Sequence, residues 1–249
     1  MKVLCAAAAL AAMAFPLAAQ QKQMAPKSQK ELEAIQAVMN ATTPDAKMAA
    51  VDKLIADYKT DFKGWALDQA AEAARIKRDT VKAQFYANEA LKFDAKDYQA
   101  MLLLSGEIAQ GTRDTDLDKD DKLAKAEKFP KDAMPAIQAA VNPNPQGIPA
   151  DQWEGIKKDY LSQAHENLGV INVVRKKPDA AAAEFKLAVE VAAHPEPATM
   201  IRLASSYNDA NKPDAAIEAL SKIPADAHET IKKFAASEKQ RADKLKTGK

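Results

Sequence analysis

Cysteine is nearly absent: Cys5, close to the start, is the only one in 249 residues. Once the first apolar run is set aside no thiol remains, which excludes disulfides and cysteine nucleophiles. Glycine is also sparse, seven in all, and none falls in a phosphate-cradling loop or around a nucleophilic serine. His165, His194 and His228 are scattered, and His165-Glu166 lacks the second histidine of a metal-binding helix. Runs of β-branched residues with period two are missing, so a sheet has no source. No charge of one sign dominates either. Lys2 is the only charged residue among the first nineteen, and the remainder carries 35 of each sign. A nucleic-acid partner needs a basic excess or stripe, and neither is present. The two tryptophans lie far apart, which speaks against an aromatic-lined carbohydrate or hydrolytic cleft. Carboxylates are plentiful, but on amphipathic helices they read as solvated faces. An enzyme is not expected, nor any cofactor.

What the chain does have is alanine, roughly a fifth of its residues, a composition that favours helices. Residues 1–19 read as a secretory signal: Lys2, an apolar stretch from Val3 to Leu17, and Leu17-Ala18-Ala19 before Gln20. The run is shorter than the roughly 20 residues of a membrane span. Cys5 does not follow the small residues, so it is not the acylated first residue of a lipoprotein. The expectation is a periplasmic or secreted protein with no stable membrane insertion after cleavage. Residues 20–28 read as a flexible leader.

Helical faces then follow one another. Leu32, Ile35 and Met39 share one face; Thr43-Pro44-Asp45 starts a second helix, carrying Met48, Val51, Leu54, Ile55 and Tyr58. Leu67, Ala70, Ala71 and Ala74 precede a turn at Arg78-Asp79, and Met101, Leu104, Ser105 and Ile108 repeat their phases 34 residues later. The next helix, Lys122 to about Val141, contains Pro130 and Pro135 and should be kinked or broken. A long helix is expected from near Pro149 to Arg175. Its Gly169 should lie at a helix crossing opposite Ala181 and Phe185, where alanine would be near neutral and leucine would overpack. The clearest stretch runs from Pro197 to Pro224. Met200, Leu203, Ala204 and Tyr207 form one face, Asn211-Lys212-Pro213 the turn, and Ala216, Leu220 and Ile223 the return. A last polar helix, from Asp226 to about Leu245, should turn Ile231 and Phe234 inward.

This spacing of large, large, small and aromatic, then small, large and apolar, resembles a tetratricopeptide (TPR) repeat. The best matches are residues 64–97, 98–141 with an insertion, 162–195 and 197–224, within a repeat domain over 29–249. The resemblance implies an all-α, right-handed α-solenoid of helical hairpins with helical end caps. It implies a non-catalytic scaffold holding a segment of another protein, which the signal-like start would place in the bacterial cell envelope. In the family the first helix of each repeat lines a concave groove. Here that implies Trp65, Asp68, Glu72 and Arg75; Leu102 and Gly106; Glu166, Val170 and Val173; and Ile201, Ser205 and Asn208. Such a groove would be apolar with acidic patches. The Lys, Arg and Asn cluster with which some members hold a terminal carboxylate is missing.

One segment suggests an alternative. Asp116, Asp118 and Asp120, an apolar residue at the eighth place and Glu127 at the twelfth follow calcium-loop spacing. Asp121 stands where glycine makes the sharp turn. A calcium-stabilised envelope protein is the reading this would support. An acidic cap on the following helix explains the same residues without metal.

Overall fold

Small side chains recurring on one helical face do bring helices together in pairs. A computed structural model describes residues 25–248; the expected signal at 1–19 and most of the leader lie outside them. Five hairpins follow in order: α1 (Gln29–Asn40) with α2 (Pro44–Asp57), α3 (Lys63–Ile76) with α4 (Thr80–Phe93), α5 (Tyr98–Gly111) with α6 (Lys119–Ala139), α7 (Ala150–Val174) with α8 (Pro178–Val191), and α9 (Pro197–Asp209) with α10 (Pro213–Ser221). α11 (Glu229–Thr247) closes the stack, and no strand occurs among the described residues. Each helix packs on its neighbours in sequence, as in a solenoid. Among the described residues no helix is long and apolar enough to cross a membrane.

α3 and α4 show why alanine suffices. Ala66, Ala70, Ala73 and Ala74 face Ala83, Ala87 and Ala90 in one buried cluster, so the two backbones approach closely. Three hairpin turns share one device. Arg78, Lys176 and Asn211 take left-handed backbone at φ 60°, 59° and 56°. The next amide reaches back five residues: Asp79 to Ala74, Lys177 to Asn172 and Lys212 to Tyr207, at 2.8–2.9 Å. Such a cap normally has glycine at the left-handed position; this glycine-poor chain does without it. Neighbouring hairpins are also laced by exposed ion pairs: Lys77–Asp45, Lys212–Asp179 and Lys246–Asp214. Each joins a first-turn aspartate to a lysine of the following hairpin or end helix, and is worth at most about 1 kcal/mol.

Two expectations about local structure are narrowed. α6 is one helix of 21 residues with Pro130 and Pro135 inside it, so it is not broken. Pro130 has no N–H to offer the carbonyl of Ala126, four residues back. The hydroxyl of Ser105, fully buried on α5, donates to that carbonyl at 2.9 Å and fills the vacancy. At Gly169, a Cβ would stand 2.6–2.8 Å from three ring atoms of Phe185. Phe185 is buried, so the ring must shift against its neighbours to admit a methyl. The crossing is where it was expected, and alanine there would press on the ring.

Each end helix keeps part of its expected inner face, Leu32 and Ile35 on α1 and Ile231 on α11, and turns one expected residue out. Met39 is 63% exposed, and α1 turns Glu31, Ile35 and Val38 inward. Phe234 is 58% exposed. α11 covers only α9 and α10, so its buried stripe is narrow, running through Ile231, Ala235, Glu238 and Ala242. At the other end Lys27 is tied down: its Nζ donates to the Lys59 carbonyl at 2.8 Å and to Asp61 at 3.0 Å.

Candidate functional site

The first helices of the hairpins carry polar residues one turn apart, just off their packing faces, and the stacking aligns these rows. Between α3, α5 and α7 they enclose a recess of about 370 Å³. α3 contributes Asp68, Gln69, Glu72 and Arg75; α5 contributes Gln99, Leu102, Leu103, Gly106, Glu107 and Gln110; α7 contributes Tyr160, Gln163 and Asn167. Arg75, Gln110, Gln163 and Asn167 also border a second recess of about 540 Å³, which Glu166, Val170 and Arg202 carry on to α9. Beyond Val170 and Arg202 a third, of about 260 Å³, has an apolar floor of Val173 and Phe185 beside Ser205. The three form one channel.

Its walls are pinned by side chains that span hairpins. Asn167, buried, donates through Nδ2 to the Leu102 carbonyl at 2.8 Å and so fastens α7 to α5. Glu166 is paired with Arg202 across α7 and α9. Arg75 is engaged along its own helix, donating from Nε and Nη2 to both oxygens of Glu72 at 2.7 and 2.5 Å.

The strongest electrostatic feature is a pair of aspartates 29 positions apart in sequence. Burial first, then the charge and hydrogen bond of Asp97, push the Asp68 carboxyl up to about 9. Asp97 is also raised by burial, although it accepts the amides of Gln99 and Ala100 at 3.1 Å as the cap of α5. Two buried carboxyls in contact cannot both ionise cheaply, so at neutral pH Asp68 holds the proton and Asp97 the charge. The other oxygen of Asp68, Oδ1, is buried without a hydrogen-bond partner. Tyr160 stands against Tyr98 edge to face at 5.0 Å, and burial pushes its phenol up to about 12.

These placements sort the expected groove residues. Asp68, Glu72, Arg75, Gly106, Glu166, Val170, Val173 and Ser205 do line the channel. Trp65 packs instead beside the first core, 6.3 Å from Phe62. Ile201 is half-buried and borders none of the three recesses. Leu102 borders the wall but is 1% exposed, packed with Ala133, Ile137 and Ala164. Asn208 is sealed under α11, where Nδ2 donates to the carbonyl and carboxylate of Glu238 at 2.9 and 2.8 Å. The channel is mainly polar, not apolar; only its α7–α9 end matches the expectation. Sequence reading missed Gln99, Gln110, Tyr160, Gln163 and Asn167. The signal was there in uncharged amides at helical spacing on α5 and α7.

The acidic segment does not form a calcium loop. α6 begins at Lys119, which spreads Asp120 and Glu127 along a helix. Lys122 pairs with both Asp116 and Asp118 at 2.9 Å, and Glu127 pairs with Lys131 and Arg175. Lysine and arginine cations thus occupy these carboxylates. Among the described residues no group of three or more His, Cys, Asp or Glu could hold a metal ion. An Asp159–His194 pair at 2.9 Å borders the second recess, but the hydroxyl of nearby Ser162 donates to the Ala188 carbonyl, not to a histidine.

No family model matches the chain, and no curated protein does. Among solved structures it is similar to a thermophilic TPR protein of Thermus thermophilus. The TM-score is 0.58 at 16% identity, over 84% of this chain and 97% of that one. The likeness is one of fold: the chain forms a TPR-like helical solenoid.

Proposed function

We propose that this TPR-like solenoid is a non-catalytic scaffold of the bacterial cell envelope that receives a segment of another protein along the α3–α5–α7–α9 channel. The observation that carries the reading is the continuity of the three recesses, which share lining residues from Arg75 to Arg202. The α3, α5 and α7 axes, packed about 8–10 Å apart, and the wider gap to α9 make a channel on the order of 30 Å long. An extended segment of about eight residues spans that length. The amides of Gln69, Gln99, Gln110 and Gln163 line it, and each offers a donor and an acceptor to an extended backbone. Fold alone suggests protein interaction in general; the channel is the place we assign to it.

The test is site-specific photo-crosslinking in the native extract. A photoreactive residue at Gln110, inside the channel, should give a discrete protein adduct, while one at Lys128, exposed on α6, should not. Adducts at Lys128 alone would move the interaction to the outer face and sink the channel reading. The envelope location rests on the Leu17-Ala18-Ala19 site. Intact mass of the fractionated protein tests it, and a chain that still begins at Met1 sinks it.

A further inference from the structure

We propose that the recess between α3, α5 and α7 binds an alkylammonium group, with Asp68 as its counter-ion. The wall carries more acids than bases: Asp68, Glu72 and Glu107 line the recess against one cation, Arg75. That cation is already held by both oxygens of Glu72. No lysine lines the recess. Asp68 lines the recess, and its Oδ1, covered just behind that lining, has no hydrogen-bond partner, so an incoming ammonium meets it by displacing the atoms that cover it.

The kind of cation follows from geometry. A divalent ion needs several converging oxygens, and no group of three suitable side chains exists among the described residues. A guanidinium is best met by two parallel oxygens. Asp68 offers one, because its carboxyl is engaged with Asp97 as well. An ammonium, a compact charge with three donors, suits a single carboxylate oxygen supplemented by glutamine carbonyls. Gln99 and Gln163 border the same recess, and so does the ring of Tyr160, whose face attracts a cation.

Binding would change the protonation of the wall. Asp68 is protonated when the recess is empty, as burial and Asp97 dictate. Arrival of R–NH₃⁺ favours its carboxylate, so the Asp68 proton leaves to solvent and the ammonium keeps its own three. The groups that set this balance are Asp68, Glu72 and Arg75 from α3, Asp94 and Asp97 from the α4–α5 connection, Tyr98 and Glu107 from α5, and Tyr160 from α7. Affinity should therefore rise with pH below the Asp68 titration, by up to about ten-fold per unit.

The inference rests on the channel being a binding surface, not on the partner being a protein. The ammonium could belong to a lysine of a bound segment or to a free diamine. Calorimetry on the whole protein uses three probes: acetyl-Ala-Ala-Lys-Ala-Ala-amide, the same peptide with norleucine for lysine, and cadaverine. The lysine peptide should bind at least ten-fold more tightly than the norleucine peptide. It should release close to one proton at pH 7.5, read from buffers of different ionisation heat. Asp68→Asn should abolish both the preference and the proton release. Glu107→Gln, outside the aspartate pair, should weaken binding several-fold and keep the release. A lysine peptide tighter than cadaverine assigns the ammonium to a protein segment; the reverse assigns it to a free amine. Equal affinity for the lysine and norleucine peptides, or an Asp68→Asn protein that binds lysine like the wild type, overturns the proposal. Crosslinks at Gln110 that survive such a result would leave the scaffold reading standing. Lysine binding without them would leave only the ammonium site.

Discussion

At one end of the channel the first helices touch; at the other they part. α3 packs on α5 and α5 on α7, whereas α7 reaches α9 chiefly through α8. Where they touch, the wall is polar, and cross-hairpin bonds such as Asn167 to the Leu102 carbonyl hold it. Where they part, a side chain from the second row, Phe185, becomes part of the floor and the lining turns apolar. The difference teaches that the chemistry of a solenoid groove depends on helix spacing as well as on the residues of its inner helices. A gap brings the layer behind up to the floor.

The largest way to break this contrast is to remove the floor. Phe185→Ala should cost about 3–5 kcal/mol, the usual range for a fully buried aromatic, and should show in thermal melts with little change at the α3–α5 end by hydrogen exchange. Uniform loss of protection would mean that the two ends are not separable. Next comes Gly169→Ala, which thrusts a methyl against the Phe185 ring. Its helix-propensity gain of about 1 kcal/mol should be outweighed, leaving a net loss of about 1–2 kcal/mol. Adding Phe185→Leu should recover part of that. A melting point at or above wild type would show that the ring gives way.

At the polar end the lever is pH. Asp68 titrates near 9 in the folded chain against 3.8 in the unfolded one. Between these values the unfolded state has lost a proton that the folded state keeps, so stability falls as pH rises and levels off above about 9. Asp68→Asn should flatten this slope, with wild type losing about 2–4 °C more than the variant between pH 5 and 8. Parallel curves would refute the shared proton. The smallest effect compares the turns at the two ends. Arg78→Gly should stabilise by at most about 1 kcal/mol, by relieving left-handed strain. Asn211→Gly should gain less, because asparagine tolerates that region. Equal gains would show that the turns, unlike the walls, do not differ.

The hairpins were legible because packing residues recur at a fixed spacing and Pro-Asp pairs mark helix starts at Pro178 and Pro213. The channel was legible in part. Its phase lies one residue from the packing phase, so a small rotation decides whether a residue is wall or core. Leu102 and Asn208 fell on the buried side for that reason, Asn208 because α11 was not expected to cover it. The Asp68–Asp97 contact joins the middle of one helix to the cap of another. No periodic pattern announces that meeting. The acidic segment carried two readings because spacing alone cannot say where a helix begins; with α6 starting at Lys119, Asp120 and Glu127 lie along the helix.

The bond from Ser105 to the Ala126 carbonyl has a historical consequence. A serine at 105 is tolerable while position 130 still donates its own N–H, since a buried hydroxyl can find a second use for a backbone oxygen. A proline at 130 without that serine strands a buried carbonyl, at about 1–3 kcal/mol. The two substitutions are therefore epistatic and their order is not symmetric: serine first is the passable route. A double-mutant cycle over Ser105→Ala and Pro130→Ala reads the asymmetry directly. Additive losses would erase it. The proline in the middle of α6 thus depends on a hydroxyl from another helix.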